Sequence, residues 1–275
     1  MSLAETRRKG NWVQEAATVI AHEAQGDVFK LVLAAPEIAL RATPGQFVEV
    51  RVVPVGSSSV DPLLRRPISI CETRMAEGSI SLIYRVVGRG TRALATAIPG
   101  TKLDLLGPLG HSFPNPAAGT GTLVLIGGGL GIPPMVGAAE WAVAAGRECV
   151  AIIGARSREY LAGGAELESV GLPVTVMTED GSLGGRGLVT QPLQALLAAG
   201  RAGEVWACGP EGMLAAIKAL TVPTGVPCFV SVERFMACGF GACIGCTVAK
   251  AGQSGYFKAC QDGPVFPAEE VELGG

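Results

Sequence analysis

The sequence predicts a multi-domain chain: an antiparallel β-barrel, then an α/β domain with a parallel sheet, then a small cysteine-rich appendage. Three observations carry that prediction. Short alternating segments punctuated by Gly and Pro fill the first hundred or so residues. From residue 122 the rhythm changes to strand, glycine turn and helix. Beyond residue 222 four cysteines gather within 23 residues, from Cys238 to Cys260. The boundaries are placed at 1–115, 116–222 and 223–275.

In the first region, residues 47–53 alternate, with Glu49 and Arg51 on the face opposite Val48, Val50 and Val52. Residues 79–87 and 102–106 are further strand candidates. Pro44-Gly45 and Pro99-Gly100 read as turns. Residues 114–121, rich in Pro, Gly and Ala, read as a linker. In the second region, residues 123–126 form a short apolar run, as expected of a strand buried on both faces. Residues 149–153, 173–177 and 204–207 repeat that signal, and residues 191–199 and 211–220 read as helices. Pro133 and Pro134 suit a helix start, and Gly146 its stop. Four glycine-bearing loops (127–131, 154–157, 179–182 and 208–210) each follow a strand, which crowds them at the carboxyl edge of the sheet, where such folds bind ligands.

Composition excludes several classes. With 22 basic and 24 acidic residues and no basic block, nothing points to nucleic acid. The longest uncharged, mostly apolar run, 123–139, contains three consecutive glycines and two prolines, so it is a strand, turn and helix start rather than a membrane span. The opening residues carry no apolar leader, and eight cysteines without one suggest a reducing compartment; a cytoplasmic protein is expected.

The cysteines are the most specific feature. Cys238, Cys243, Cys246 and Cys260 follow C-x4-C-x2-C…C, the plant-type [2Fe–2S] spacing. Two irons need four thiolates converging from several directions, so one loop must wrap closely around them. Gly239, Gly241 and Gly245 are expected to allow positive φ and to free N–H groups for the sulfurs. A structural zinc site would more typically read C-x2-C…C-x2-C. Cys71, Cys149 and Cys228 read as packing residues, and His22 and His111 have no second ligand nearby in sequence.

Four weaker signals concern dinucleotides. Arg65 and Arg66 open a strand, where an arginine suits a phosphate and Ser69, three residues on, suits a ring nitrogen. Gly88, Gly90 and Thr91 could cradle a pyrophosphate with backbone amides. The turn of Gly127, Gly128, Gly129 and Gly131 sets phosphate near a helix N-terminus. Cys208 followed by Gly209 suits close approach to a flat ring.

Together, R-P-x-S, G-G-G-x-G-x-x-P and C-G-P resemble the ferredoxin–NADP reductase superfamily. Residues 66–69, 84–91, 178–184, 233–246 and 260–266 resemble, within it, the electron-transfer subunits of bacterial NAD-dependent dihydroorotate dehydrogenases, over residues 11–271. That resemblance implies FAD held by Arg66, Pro67, Ile68, Ser69, Ile83, Tyr84, Arg85, Gly90 and Thr91. Arg66 would take the pyrophosphate and Ser69 would face the flavin ring. It implies NAD along Gly127, Gly128, Gly129 and Gly131 with its nicotinamide near Cys208 and Gly209, so that Ser69 and Cys208 flank the reacting rings. It implies a [2Fe–2S] cluster on Cys238, Cys243, Cys246 and Cys260. It also implies a catalytic dihydroorotate dehydrogenase partner subunit, in a heterotetramer of two copies of each, serving pyrimidine synthesis. Arg156 and Arg158 leave NADP open. The alternative reading is the small subunit of a ferredoxin–NAD(P) oxidoreductase or sulfide dehydrogenase, although such relatives tend to replace the first cluster cysteine.

Overall fold

The computed structural model describes residues 11–274; the opening residues, where no leader is expected, lie outside them. Six antiparallel strands close a barrel: β1 (Val13–Gln25), β2 (Val28–Ala34), β3 (Phe47–Arg51), β4 (Arg66–Arg74), β5 (Ser79–Arg85) and β6 (Lys102–Leu109), in the order β1-β2-β5-β4-β3-β6. Closure leaves the barrel no edge to protect. The alternation read in β3 holds: Val48 and Val50 enter the barrel core, and Phe47 and Glu49 lie on its outer face. Two short helices were not expected from the sequence. α1 (Pro36–Arg41) starts at a proline and buries Ile38 and Ala39 in the barrel. α2 (Arg89–Leu94) follows Gly88 and buries Leu94. Six residues are too few for helical periodicity to show.

The second layer is a seven-stranded sheet. Its elements are β7 (Leu123–Gly128), α3 (Ile132–Ala144), β8 (Cys149–Ala155), α4 (Gly164–Ser169), β9 (Val174–Thr178), β10 (Gly185–Arg186), α5 (Thr190–Ala198), β11 (Glu204–Cys208), α6 (Glu211–Thr221) and β12 (Cys228–Ser231). A three-residue pair, β13 (Thr247–Ala249) and β14 (Tyr256–Lys258), precedes β15 (Val265–Pro267). Sheet order is β10-β9-β8-β7-β11-β12-β15, parallel throughout except at β15. The sheet therefore runs past residue 222. β12 and β15 are its strands, and the cysteines lie on the excursion between them. Short strand β12 pairs through Val205↔Cys228, which buries Cys228 as a packing residue.

α3 wedges between sheet and barrel. A Cβ on Gly137 would stand 2.8 Å from the Cys71 carbonyl, so glycine is what permits that approach. The same seam carries charge: Lys30 bridges Glu72 (3.2 Å) and Glu166 (3.0 Å), and Arg74 bridges Glu72 and Glu140. Residues 114–121, expected as a linker, are tied down by Arg147, which donates to the carbonyls of Pro116, Thr120 and Gly121. Arg147 in turn meets the buried Glu204 at 3.3 Å.

Candidate cofactor and metal sites

The cysteine segment folds so that its thiols form two pairs. Cys246 and Cys260 are buried with their sulfurs 3.2 Å apart, and the Cys260 N–H donates to Cys246 Sγ. Cys238 receives the N–H of Cys243 at 3.4 Å. Burial works against a Cys238 thiolate, but N–H groups of Cys243, Phe240 and Ala242 outweigh it and bring its pKa down to about 7. Burial and the neighbouring Cys246 push the Cys260 thiol up. Among the described residues no three Cys, His, Asp or Glu side chains close on one point, as a mononuclear site would need. Two pairs suit a centre with two irons, and backbone N–H groups aimed at sulfur suit thiolate ligands. The loop geometry departs from expectation at one place. Gly239 and Gly241 take positive φ, but the third positive φ falls on Ile244 at 58°, and Gly245 is not among the positive-φ residues. Ile244 adopts a conformation that β-branched residues rarely accept, and its side chain is 65% exposed.

The barrel brings together two segments that are distant in sequence. Arg65 is committed to Asp104, donating to its carboxylate at 2.6 Å and to its carbonyl at 2.7 Å. Arg66 instead lies against the start of α2. A Cβ on Gly90 would stand 2.1 Å from Arg66 Nε. Thr91 Oγ1 accepts the N–H groups of Val87 and Gly88, which fixes the turn into the helix. An arginine laid on glycine at a helix start is a cradle for phosphate, so the residues fit the pyrophosphate of FAD. Pro67 and Ser69 face outward on β4, while Ile68 belongs to the barrel core.

Two expected FAD residues bury their side chains. Ile83 is buried, and Tyr84 turns into the barrel, where its hydroxyl meets His22 Nε2 at 2.9 Å and its ring stacks on Phe29. The Tyr84 hydroxyl is thereby committed inside the barrel, and the Ile83 side chain packs in the cluster shared with the sheet. Arg85 is different. Its Nε lies 3.1 Å from the Asp27 carboxylate and its guanidinium 4.4 Å over the Tyr160 ring, yet its buried Nη2 lacks a hydrogen-bond partner. An unpaired buried guanidinium nitrogen suits an anion between barrel and sheet.

On the sheet side, β7 ends in Gly127 and Gly128, and a tight turn at Gly129 and Gly131 opens α3. The main chains pack too closely here for side chains. A Cβ on Gly131 would meet the Cys208 carbonyl oxygen at 2.1 Å. Cys208 sits opposite Gly127 and Ser231 in the ladders. Burial, eased by a hydrogen bond with Ser231, pushes its thiol up to about 12, so it stays neutral. Gly209 follows at φ 156°, packed on Met213. The structure thus joins Gly131 to Cys208 and Arg66 to Gly90. Sequence reasoning missed Ser231, Tyr160 and Glu49, which carry no motif and become visible only through strand pairing.

A model of the iron-sulfur cluster binding domain of dihydroorotate dehydrogenase B matches residues 233–272. The chain is 37% identical over 264 residues to the dihydroorotate dehydrogenase B (NAD(+)) electron transfer subunit of Geobacillus thermodenitrificans, covering 94% of this chain and 99% of that one. It is 39% identical over 250 residues to the subunit of the same name from Bacillus caldolyticus, covering 89% and 93%. Among solved structures, the NADH-dependent reduced ferredoxin-NADP oxidoreductase superimposes with a TM-score of 0.81 at 31% identity, covering 94% of this chain and 90% of that one. With a closed barrel, a parallel sheet and four cysteines placed as they are, the chain belongs to the family of electron transfer subunits of NAD(+)-dependent dihydroorotate dehydrogenase B.

Proposed function

We propose that this chain relays electrons between a partner subunit that oxidises dihydroorotate and NAD, in pyrimidine synthesis, with FAD and a [2Fe–2S] cluster as its resident groups. A nicotinamide exchanges two electrons as hydride, a [2Fe–2S] centre passes one, and flavin chemistry bridges the two. The residues supply placement. Arg66 and the turn of Gly90 and Thr91 hold the pyrophosphate, with Pro67 and Ser69 along the ring. Arg85 offers its unpaired Nη2 to an anion at the same seam. Gly127, Gly128, Gly129 and Gly131 let NAD approach the start of α3, with Cys208 and Gly209 beside the nicotinamide. Cys208, neutral through the physiological range, adds shape without charge. Cys238, Cys243, Cys246 and Cys260 hold the cluster, within a unit spanning the matched residues 233–272.

The observation that carries this reading is the position of the flavin-motif strand. β4 pairs with β3, which packs on the cysteine segment, and Cys71 of β4 touches Gly137 of α3, the helix that opens at the glycine turn. One strand thus borders both exits. No helix among the described residues is long and apolar enough to cross a membrane. We place the chain in the cytoplasm, consistent with eight free thiols.

The partner docks where the cluster nears the surface. Phe240 is 44% exposed with its ring 5.8 Å from that of Trp12, and Ile244, on the same cysteine loop, is also exposed. The test uses the chain loaded with FAD and iron. Alone, it is expected to oxidise NADH with ferricyanide as acceptor and to keep its flavin oxidised on mixing with dihydroorotate. Adding the partner is expected to give dihydroorotate-dependent NAD reduction, which Phe240→Asp suppresses while sparing the ferricyanide reaction. Bleaching of the isolated chain's flavin by dihydroorotate would overturn the division of labour.

A further inference from the structure

Tyr160 lies where the barrel meets the sheet, and two cations share its ring. The Arg85 guanidinium, from the end of β5, stands 4.4 Å from the ring centroid, and that of Arg156, from the loop after β8, stands 4.9 Å from it. An aromatic face attracts a guanidinium through its quadrupole, and the attraction grows when the cation is sheltered from water. Arg85 is the sheltered one, with its side chain 15% exposed, while Arg156 lies at the surface. The carboxylate that meets Arg85, Asp27, is itself 59% exposed. Even so, the buried Nη2 of Arg85 lacks a hydrogen-bond partner. A nitrogen in that state is ready for an acceptor that arrives from outside the chain.

The ring is held firmly enough to aim the arginine. Residues 158–160 form a single tight turn, in which the Tyr160 N–H donates to the Ser157 carbonyl at 3.0 Å and the Leu161 N–H to that of Arg158 at 3.2 Å. The next residues anchor this turn across the seam. Leu161 and Ala162 pack with Ile83 of β5 and Ile132 of α3 in one buried cluster. A Cβ on Gly163 would stand 3.3 Å from Pro133 Cγ, at the start of α3. Tyr160 also borders the glycine turn, since a Cβ on Gly129 would stand 4.0 Å from its carbonyl oxygen. A barrel cation, a ring from the sheet domain and the glycine turn thus meet at one place on the seam.

We propose that Tyr160 is a positioning residue for dinucleotide binding: its ring holds the Arg85 guanidinium across the seam, with Nη2 presented to the pyrophosphate of a bound dinucleotide. The inference rests on the reading of this chain as a carrier of FAD and NAD. Stacking fixes the planar fork of a guanidinium without using any of its N–H donors, so Nη2 stays free for the ligand. A residue that acts through another loses its effect when that other is removed. The pyrophosphate belongs to FAD if it lies toward Gly90 and to NAD if it lies toward Gly129, so both dinucleotides are measured.

The experiment compares the full chain, loaded with FAD and iron and kept oxidised, with Tyr160→Leu, Tyr160→Phe, Arg85→Gln and the double variant Tyr160→Leu with Arg85→Gln. NAD affinity is read by isothermal titration calorimetry and FAD retention by equilibrium dialysis, with the melting temperature as the check on folding. Tyr160→Leu is expected to weaken at least one of the two dinucleotides roughly 2- to 30-fold, the span of a lost cation–π contact. Arg85→Gln is expected to weaken the same one at least as much. Tyr160→Phe keeps the ring and should stay within about twofold of the unaltered chain. Adding Tyr160→Leu to Arg85→Gln should cost little more. Tyr160→Met, which fills the space without an aromatic face, repeats the measurement if the leucine variant does not fold. Unchanged affinity for both dinucleotides in Tyr160→Leu would overturn the proposal. So would a loss in Tyr160→Phe equal to that in Tyr160→Leu, or full additivity in the double variant. The reading beneath it fails separately: an unaltered chain that takes up neither FAD nor NAD strikes the proposed function itself, and the role of Tyr160 with it.

Discussion

The two cofactor sites proposed for this chain are built in opposite ways. The cysteine site is local: three of its four thiols lie within nine residues, and the fourth arrives fourteen residues on. Its geometry is enforced by a loop with positive φ at Gly239, Gly241 and Ile244. The proposed flavin cradle is non-local. Arg66 opens β4, Gly90 lies in α2, and what brings them together is the barrel order, in which β4 and β5 are neighbours. A local site is set by spacing, whereas a non-local one depends on every strand register between its parts. The first should therefore fail by loss of a ligand, and the second by any displacement of the arginine from the glycine.

The largest effect tests the local site. Cys243→Ser is expected to abolish the EPR signal of the reduced [2Fe–2S] centre while FAD remains bound, because the cradle shares no residue with the loop. Cys149→Ser is the control. Cys149 is buried at the start of β8 and paired with Leu123 in the ladder, far from the loop in the sheet, so the signal should persist. A surviving signal in Cys243→Ser would undo the contrast.

Next comes the cradle, approached from either of its halves. Arg66→Ala removes a charge-assisted hydrogen bond, worth about 1.5–3 kcal/mol. By equilibrium dialysis FAD should be held roughly tenfold to 150-fold more weakly. Gly90→Ala should give a loss in the same direction without touching the arginine, since its Cβ would stand 2.1 Å from Arg66 Nε. The clashing atom belongs to a flexible side chain, so the arginine swings away while the barrel stays folded. Full FAD occupancy in Gly90→Ala would show that the pyrophosphate does not lie between these two residues.

The same contrast explains what was legible in the sequence. The cysteine spacing pointed to an iron-sulfur domain, which the matched residues 233–272 bear out, because the pattern is compressed into one stretch. The strand–glycine–helix rhythm announced the parallel sheet for the same reason: β7 and its turn are contiguous. Which of Arg65 and Arg66 is free was not readable, because Asp104, which takes Arg65, lies on β6. That Tyr84 turns inward was hidden by the position of its partner His22 on β1. That the sheet continues past residue 222 was not readable, because β12 and β15 contribute only four and three residues. Strands that short carry no period. Glu49 looked like the polar side of an alternating strand; the surface that buries it arrives 190 residues later in the chain, at Gly239.

The smallest effect concerns the barrel's other seam, and it separates cofactor sites from domain attachment. Glu72 lies on β4, six residues beyond Arg66, and joins Lys30, Arg74 and the Ser81 hydroxyl at the contact with α3 and α4. Burial opposes its charge, but Ser81, Lys30 and Arg74 together hold its carboxyl below the usual range near 4.5. A depressed carboxylate contributes stability that is fully present above the unfolded value and is lost as pH falls through the folded one. Glu72→Gln should therefore lower the melting temperature at pH 7 by about 2–4 °C, corresponding to roughly 1 kcal/mol for a partly exposed ion network. The difference should shrink as pH falls below about 4.5 and should narrow in high salt. Measured in the Cys243→Ser background, the comparison is free of acid loss of the cluster. In the otherwise unaltered chain, Glu72→Gln should leave iron and FAD content unchanged at pH 7. A melting difference that persists unaltered into acid would mean that packing, rather than charge, joins the barrel to α3.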